Sequence, residues 1–273
     1  MLPYQLFDSP ADLNHHCRTL IAAGGGKLID QAKYLRATVR PDLRLIAMPS
    51  IWGSGAERSR IVVLDRAGTK EIHIDDRFLP DAIVYCQEFT ASIPEWRARF
   101  ACGDTWAHVL EAFFSPLASG ETRAAASALM QRMARLSPGS SDGWFEASGE
   151  ACALQANSSV GLVHGIAHTL EAPLAAAWPN VFWGHSRLCS VFLYPVFLLN
   201  QNLSPKAVQL FEEHQVDGAL VEGILRDLFD PEGYAQALPA LIHHWPSVLR
   251  DKCSRTNIAL VRPASLSFFR TFL

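Results

Sequence analysis

A change in hydrophobic period near residues 89–94 constrains this chain more than any other feature. Before it, short apolar runs are cut by glycine and proline. Leu20-Ile-Ala-Ala23 precedes Gly24-Gly-Gly26, Arg44-Leu-Ile-Ala-Met48 precedes Pro49, and Ala82-Ile-Val-Tyr85 follows Pro80. Runs of this length between breakers predict buried strands. Residues 28–35 carry helical spacing, and residues 60–64 and 71–74 flank Asp65-Arg-Ala-Gly-Thr69 as a hairpin. After the change, residues 106–114, 122–136, 144–170 and 186–199 are Ala/Leu-rich and helically periodic, and 205–214, 217–228 and 234–243 continue the pattern. The expectation is an α/β N-terminal domain over residues 1–90 and an all-helical domain over residues 91–273.

Composition narrows the class of function. Charged residues make up 19% and hydrophobic residues 49%, which is globular rather than disordered. A net charge of −3 without a basic run speaks against nucleic acid as a partner. No apolar stretch approaches the length of a spanning helix, and the first twenty residues have no basic start before an apolar run, so neither a membrane span nor a signal peptide is expected. The six cysteines are scattered without a CxxC pair. That pattern predicts a reduced, cytoplasmic setting.

One carboxylate–imidazole pair and one imidazole–imidazole pair stand at helical spacing. Asp104 and His108 are four apart, as are His164 and His168, and His185 follows alone. Residues so spaced share a helix face and can converge on one ion. Imidazole with carboxylate suits Zn2+ or Fe2+. A surface or hydrogen-bonded histidine is the commoner reading of any one pair, but two pairs plus His185 in a charge-poor region favour a metal site. Gly24-Gly-Gly-Lys27 opens a predicted helix after a strand, where glycines let backbone N–H groups approach a phosphate. A plain strand-to-helix turn is the alternative. Lys27 at a helix start opposes the dipole, so a bound anion could compensate it. Pro49-Ser-Ile-Trp-Gly-Ser-Gly-Ala-Glu57 is a second Gly/Ser loop, read equally well as a turn or as a ligand contact.

In order and spacing these segments resemble the iron-containing (group III) alcohol dehydrogenases. The resemblance rests on Gly24 to Lys33, Pro49 to Glu57, Leu79-Pro-Asp81, Gly103-Asp-Thr-Trp-Ala-His-Val-Leu-Glu111, Gly161-Leu-Val-His-Gly-Ile-Ala-His168 and His185, and spans residues 18–200. It implies a dehydroquinate synthase-like architecture: a reduced dinucleotide-binding sheet followed by an all-α metal-binding domain. It further implies metal ligation by Asp104, His108, His164 and His185, with His168 beside substrate and nicotinamide. Gly24, Gly25, Gly26, Lys27, Asp30, Ser50, Ser54 and Lys70 become the cofactor-side residues, with Asp30 near the nicotinamide side of the cleft. The cofactors implied are Fe2+ or Zn2+ and NAD(P).

Departures cluster at the nucleotide end. Family members place a βαβ half before the glycine triplet, whereas 23 residues precede Gly24 here. Lys27 replaces a serine, and Trp52 stands in the second loop where it could fill cofactor space. The expected activity is a metal-dependent interconversion of a small alcohol with an aldehyde or ketone, using NAD(P). The alternative is a metal-dependent lyase or hydrolase without nicotinamide, with the glycine loop holding an anionic substrate. A third reading keeps the metal as a structural staple. A sheet edge left open and seven tryptophans suggest a homodimer or a partner protein over that edge.

Overall fold

The computed structural model describes residues 16–66, 69–91, 93–137 and 141–273. The leader reading of the first residues and the Ala67-Gly68 pair of the hairpin turn fall outside these. In β1 (Thr19–Gly24), Leu20 and Ala22 point inward and Ile21 outward, the alternation of a half-buried strand. Helix α1 (Gly26–Thr38) carries the chain to β2 (Arg44–Pro49), which pairs parallel with β1 from Thr19↔Arg44 to Gly24↔Pro49. Parallel neighbours need such a crossover. Ile29, Ala32 and Leu35 of α1 pack on Leu20, Ala22, Leu45 and Ala47 of these strands.

Strands β3 (Ile61–Arg66) and β4 (Thr69–Ile74) form the antiparallel hairpin that the turn pattern predicted. Val62 and Leu64 join Ala37 and Tyr34 of α1 in a small core of their own. Strand β5 (Ala82–Ile83) lies parallel beside β2, so the sheet order is β1-β2-β5. The sequence predicted this last strand through Tyr85. It stops at Ile83 because Tyr85 leaves the sheet and stacks on Phe145, ring centroids 5.1 Å apart.

The remainder is helical: α2 (Glu95–Phe114), α3 (Gly120–Met133), α4 (Ser141–Ala156), α5 (Leu162–Ala177), α6 (His185–Leu203), α7 (Pro205–Glu213), α8 (Gly218–Leu228), α9 (Pro231–Val248) and α10 (Leu266–Arg270). Helix α2 is buried on every side from Ala101 to Phe114 and packs on α3, α4, α5, α6 and α8. A helix buried around its whole girth belongs at the centre of a bundle. Among the described residues no helix is long and apolar enough to cross a membrane.

One predicted helix is in fact two. Residues 144–170 read as a single periodic span, but α4 ends at Ala156 and α5 begins at Leu162. Between them Ser159 takes a positive φ of 124° and Thr256 donates to the Val160 carbonyl at 2.6 Å. The Ser158-Ser159 pair and Gly161 are the breakers. The break matters because it sets the start of α5, two residues before His164. The expected class stands: a sheet-bearing N-terminal part followed by helices.

Candidate metal centre and cleft

Three helices supply the centre. Helix α2 presents Asp104, His108 and Glu111 on one face, α5 presents His164 and His168 one turn apart, and α6 opens with His185. Close approach of α2 to α6 depends on Gly103, where an added Cβ would lie 2.6 Å from the Ser190 Cβ. Gly165 does the same for α5 against Ser254, with only 2.0 Å between an added Cβ and the Ser254 hydroxyl.

Asp104 Oδ1 is the hub. It lies 3.9 Å from His108 Nδ1, 4.0 Å from His164 Nε2 and 3.8 Å from His185 Nε2. Asp104 Oδ1, His108 Nδ1 and His164 Nε2 are buried with no hydrogen-bond partner. Orphaned buried polar atoms are costly, and three of them converging call for a shared partner. Separations of this size leave room for one ion about 2 Å from each donor. The site therefore fits the divalent ion implied by its residue types. His185, with 30% of its side chain exposed, marks the solvent side.

Glu111 is the residue that sequence reasoning passed over. One of its oxygens accepts from the Val163 backbone N–H at 2.6 Å, and the other meets His164 Nδ1 at 2.6 Å. The first bond satisfies an open donor at the start of α5. The second holds the ring with Nε2 toward Asp104, the usual outer-shell support of a metal-bound histidine. The clue was present in the sequence, since Glu111 lies three and seven residues beyond His108 and Asp104. Cys189, one turn after His185, was also passed over, and its Sγ lies 3.5 Å from His185 Nε2.

Electrostatics keep most of these rings neutral. Burial, against the pull of Asp104, lowers His108 to about 4. Burial, then the neighbouring His164 and Lys70, lowers His168 to about 3. Burial and the adjacent imidazoles press His185 well below the ordinary range. His164 differs: burial opposes its charge, but Glu111 and Asp104 outweigh it and the ring titrates above the ordinary range. Neutral imidazole is the form that binds a metal. His168 stacks on His185 at 5.4 Å, and its Nδ1 faces Asp251 Oδ2 at 3.9 Å and Cys253 Sγ at 3.8 Å.

The cofactor-side residues divide into two groups. Gly24 and Pro49 are register partners at the carboxyl ends of β1 and β2, so the two Gly/Ser loops leave the sheet side by side. Ligands of open α/β sheets bind at that edge. Ser50 N donates to the Gly24 carbonyl at 3.0 Å, Gly26 abuts the Ser54 hydroxyl, and nothing lies within 4 Å of a Cβ built on Gly25. These glycines and serines are together.

The second group is engaged by protein. Lys27 is ion-paired to Asp65, so no outside anion is needed to balance it. Asp30 lies under the hairpin, bonded to Lys33 Nζ at 2.8 Å and accepting from Val63 N at 3.0 Å. Its Oδ2 ties α1 to β3 while Oδ1 stays on Lys33 of α1, and burial raises its pKa above the ordinary value despite Lys33. Lys70 bridges Asp65 at 2.7 Å and Glu171 of α5 at 2.9 Å, which brings the hairpin to the helix bearing His168. Trp52 packs edge-on against Phe145, 5.7 Å between centroids. The expectation that it fills cofactor space is corrected: its large apolar ring is buried in the helical core.

Residues 12–86 match the family described as iron-containing alcohol dehydrogenase. Maleylacetate reductase of Pseudomonas knackmussii is 27% identical over 166 residues, 57% of this chain and 46% of its own length. The chain thus spans about half the length of the curated relatives it matches. The iron-containing alcohol dehydrogenase of Thermococcus thioreducens superposes with a TM-score of 0.70 at 24% identity, over 93% of this chain and 78% of that one. Sulfoacetaldehyde reductase of Bifidobacterium kashiwanohense, solved in complex with NAD+, superposes with a TM-score of 0.70 at 18% identity, over 94% and 76%. Residues 12–86 are thus similar to the iron-containing alcohol dehydrogenases, and the described chain shares the fold of the solved members of that family.

Proposed function

We propose that this protein is a metal-dependent oxidoreductase that interconverts a small alcohol with an aldehyde or ketone, using NAD(P) as hydride partner. The observation that carries the reading is the convergence of three imidazoles on Asp104 Oδ1 at 3.8–4.0 Å, with buried donor atoms left unpartnered. Asp104, His108, His164 and His185 would hold Zn2+ or Fe2+. Such an ion supplies Lewis acidity toward an alcohol or carbonyl oxygen.

The chain's own residues do the rest. Glu111 keeps His164 Nε2 directed at the centre. His168, neutral at pH 7, turns Nδ1 to Asp251 and Cys253, which leaves Nε2 to exchange the proton of the substrate hydroxyl. The Gly24–Gly26 and Ser50–Ser54 loops hold the dinucleotide at the sheet edge, and Lys70, fastened to Glu171, closes the cleft on the side of α5. Positioning of the nicotinamide against the substrate carbon is the main task left to the protein.

The nicotinamide-free alternative has the glycine loop, with Lys27, hold an anionic substrate, and the pairing of Lys27 with Asp65 disfavours the lysine's part in it. The test is an NADH and NADPH titration of the zinc- or iron-loaded full chain, followed by cofactor oxidation with a short-chain aldehyde such as propanal. Saturable binding and aldehyde-dependent cofactor loss are expected. Absence of binding at millimolar cofactor would overturn the nicotinamide reading.

A further inference from the structure

We infer that Cys189 is a sulfur donor to the metal centre, which makes the ligand set a mixture of carboxylate, imidazole and thiolate and tilts it toward Zn2+. The inference rests on the metal-centre reading above. His185 and Cys189 stand one turn apart on the same face of α6, so the packing that aims one aims the other. One donor atom each from Asp104, His164, His185 and Cys189 lies within 4.8 Å of all the others. The Cys189 side chain is fully buried, and the Asp104 Oδ1 and His164 Nε2 atoms it faces are themselves buried and unpartnered.

Two arrangements of this sulfur are chemically distinct. As a thiol it lies 3.5 Å from His185 Nε2, and in the tautomer that leaves Nε2 unprotonated the S–H donates a hydrogen bond to the lone pair His185 would offer an ion. As a ligand it loses that proton to solvent while the sulfur–metal bond forms, and His185 Nε2 is released to bind as well. Soft thiolate favours Zn2+ over Fe2+ relative to an all-imidazole and carboxylate set. The second arrangement leaves no donor at the centre unused.

Cobalt reports the difference directly. The full chain, stripped by a chelator and titrated with Co2+, is expected to bind one ion per chain and to show a thiolate-to-cobalt charge-transfer band in the near ultraviolet. Cys189→Ala and Cys189→Ser should still bind one Co2+ by elemental analysis but lose the band, whereas Cys253→Ala should keep it. Zinc binding to Cys189→Ala should release one proton fewer, measured calorimetrically in two buffers, and should weaken by at least about tenfold. A one-to-one cobalt complex without the band, or a band that survives in Cys189→Ala, overturns this inference and leaves the metal centre standing. Failure of the wild-type chain to bind Co2+ overturns both.

Discussion

At the scale of single residues, Glu111 shows how much a side chain outside the ligand set decides. Its carboxylate caps the start of α5 and orients His164 in the same stroke. Glu111→Gln keeps the size and one acceptor but loses the charge that favours the His164 N–H. Metal affinity is expected to fall about 10–100-fold with the fold retained, as outer-shell changes do, measured by competition with a chromophoric chelator. Asp30 is the contrasting case, a buried carboxylate whose work is structural. Asp30→Ala strands the Lys33 ammonium, which is buried against Asp30 and the Ala56 and Ile61 carbonyls. The expected loss is about 3–5 kcal/mol in denaturant unfolding, and the double change Asp30→Ala with Lys33→Met should cost less than Asp30→Ala alone. His164, His168 and Asp104 were legible in the sequence because helical spacing is local. The positioning of His168 by Asp251 and Cys253 was not, since those residues lie more than eighty positions downstream.

At the scale of elements, the centre depends on how closely α2 and α6 pack. Gly103 sits against Ser190, so a methyl group at position 103 forces the helices apart. Gly103→Ala is expected to destabilise by about 1–3 kcal/mol despite alanine's better helix propensity, and to weaken metal binding because Asp104 and His185 ride on the two helices. Adding Ser190→Gly should recover part of both losses, a non-additivity read by a double-mutant cycle. The break between α4 and α5 is the element that periodicity concealed. Apolar spacing runs through residues 144–170, but the polar Ser158-Ser159 pair and Gly161 interrupt the backbone there, and Thr256 and Glu111 bond the exposed groups. The strands and the hairpin, by contrast, were readable because glycine and proline mark their ends.

At the scale of the whole molecule, the titration of buried imidazoles sets a pH limit on the metal-free protein. His108 and His168 titrate at about 4 and about 3 in the fold, against an ordinary value of 6.5. Below that ordinary value the unfolded chain binds protons that the folded chain refuses, so stability falls as the medium is acidified from pH 6.5 toward 4. Urea midpoints of the metal-free protein should decline across that window, and a bound divalent ion should raise them most at the upper end of it, because it binds only the folded, deprotonated ligands. The sequence by itself determined which residues can share a face, where strands end in glycine loops, and that the first third is built differently from the rest. Those properties follow from the period of a helix or strand and from the torsional habits of glycine and proline, all of which act within a few residues. Tertiary structure decided which faces meet: that α2, α5 and α6 converge on Asp104 Oδ1, that Lys27 answers to Asp65, that Trp52 turns into the helical core, and that Cys189 stands among the candidate metal donors. Such meetings depend on the distance between packed helices, and that distance is set by pairs like Gly103 and Ser190 that the sequence keeps far apart.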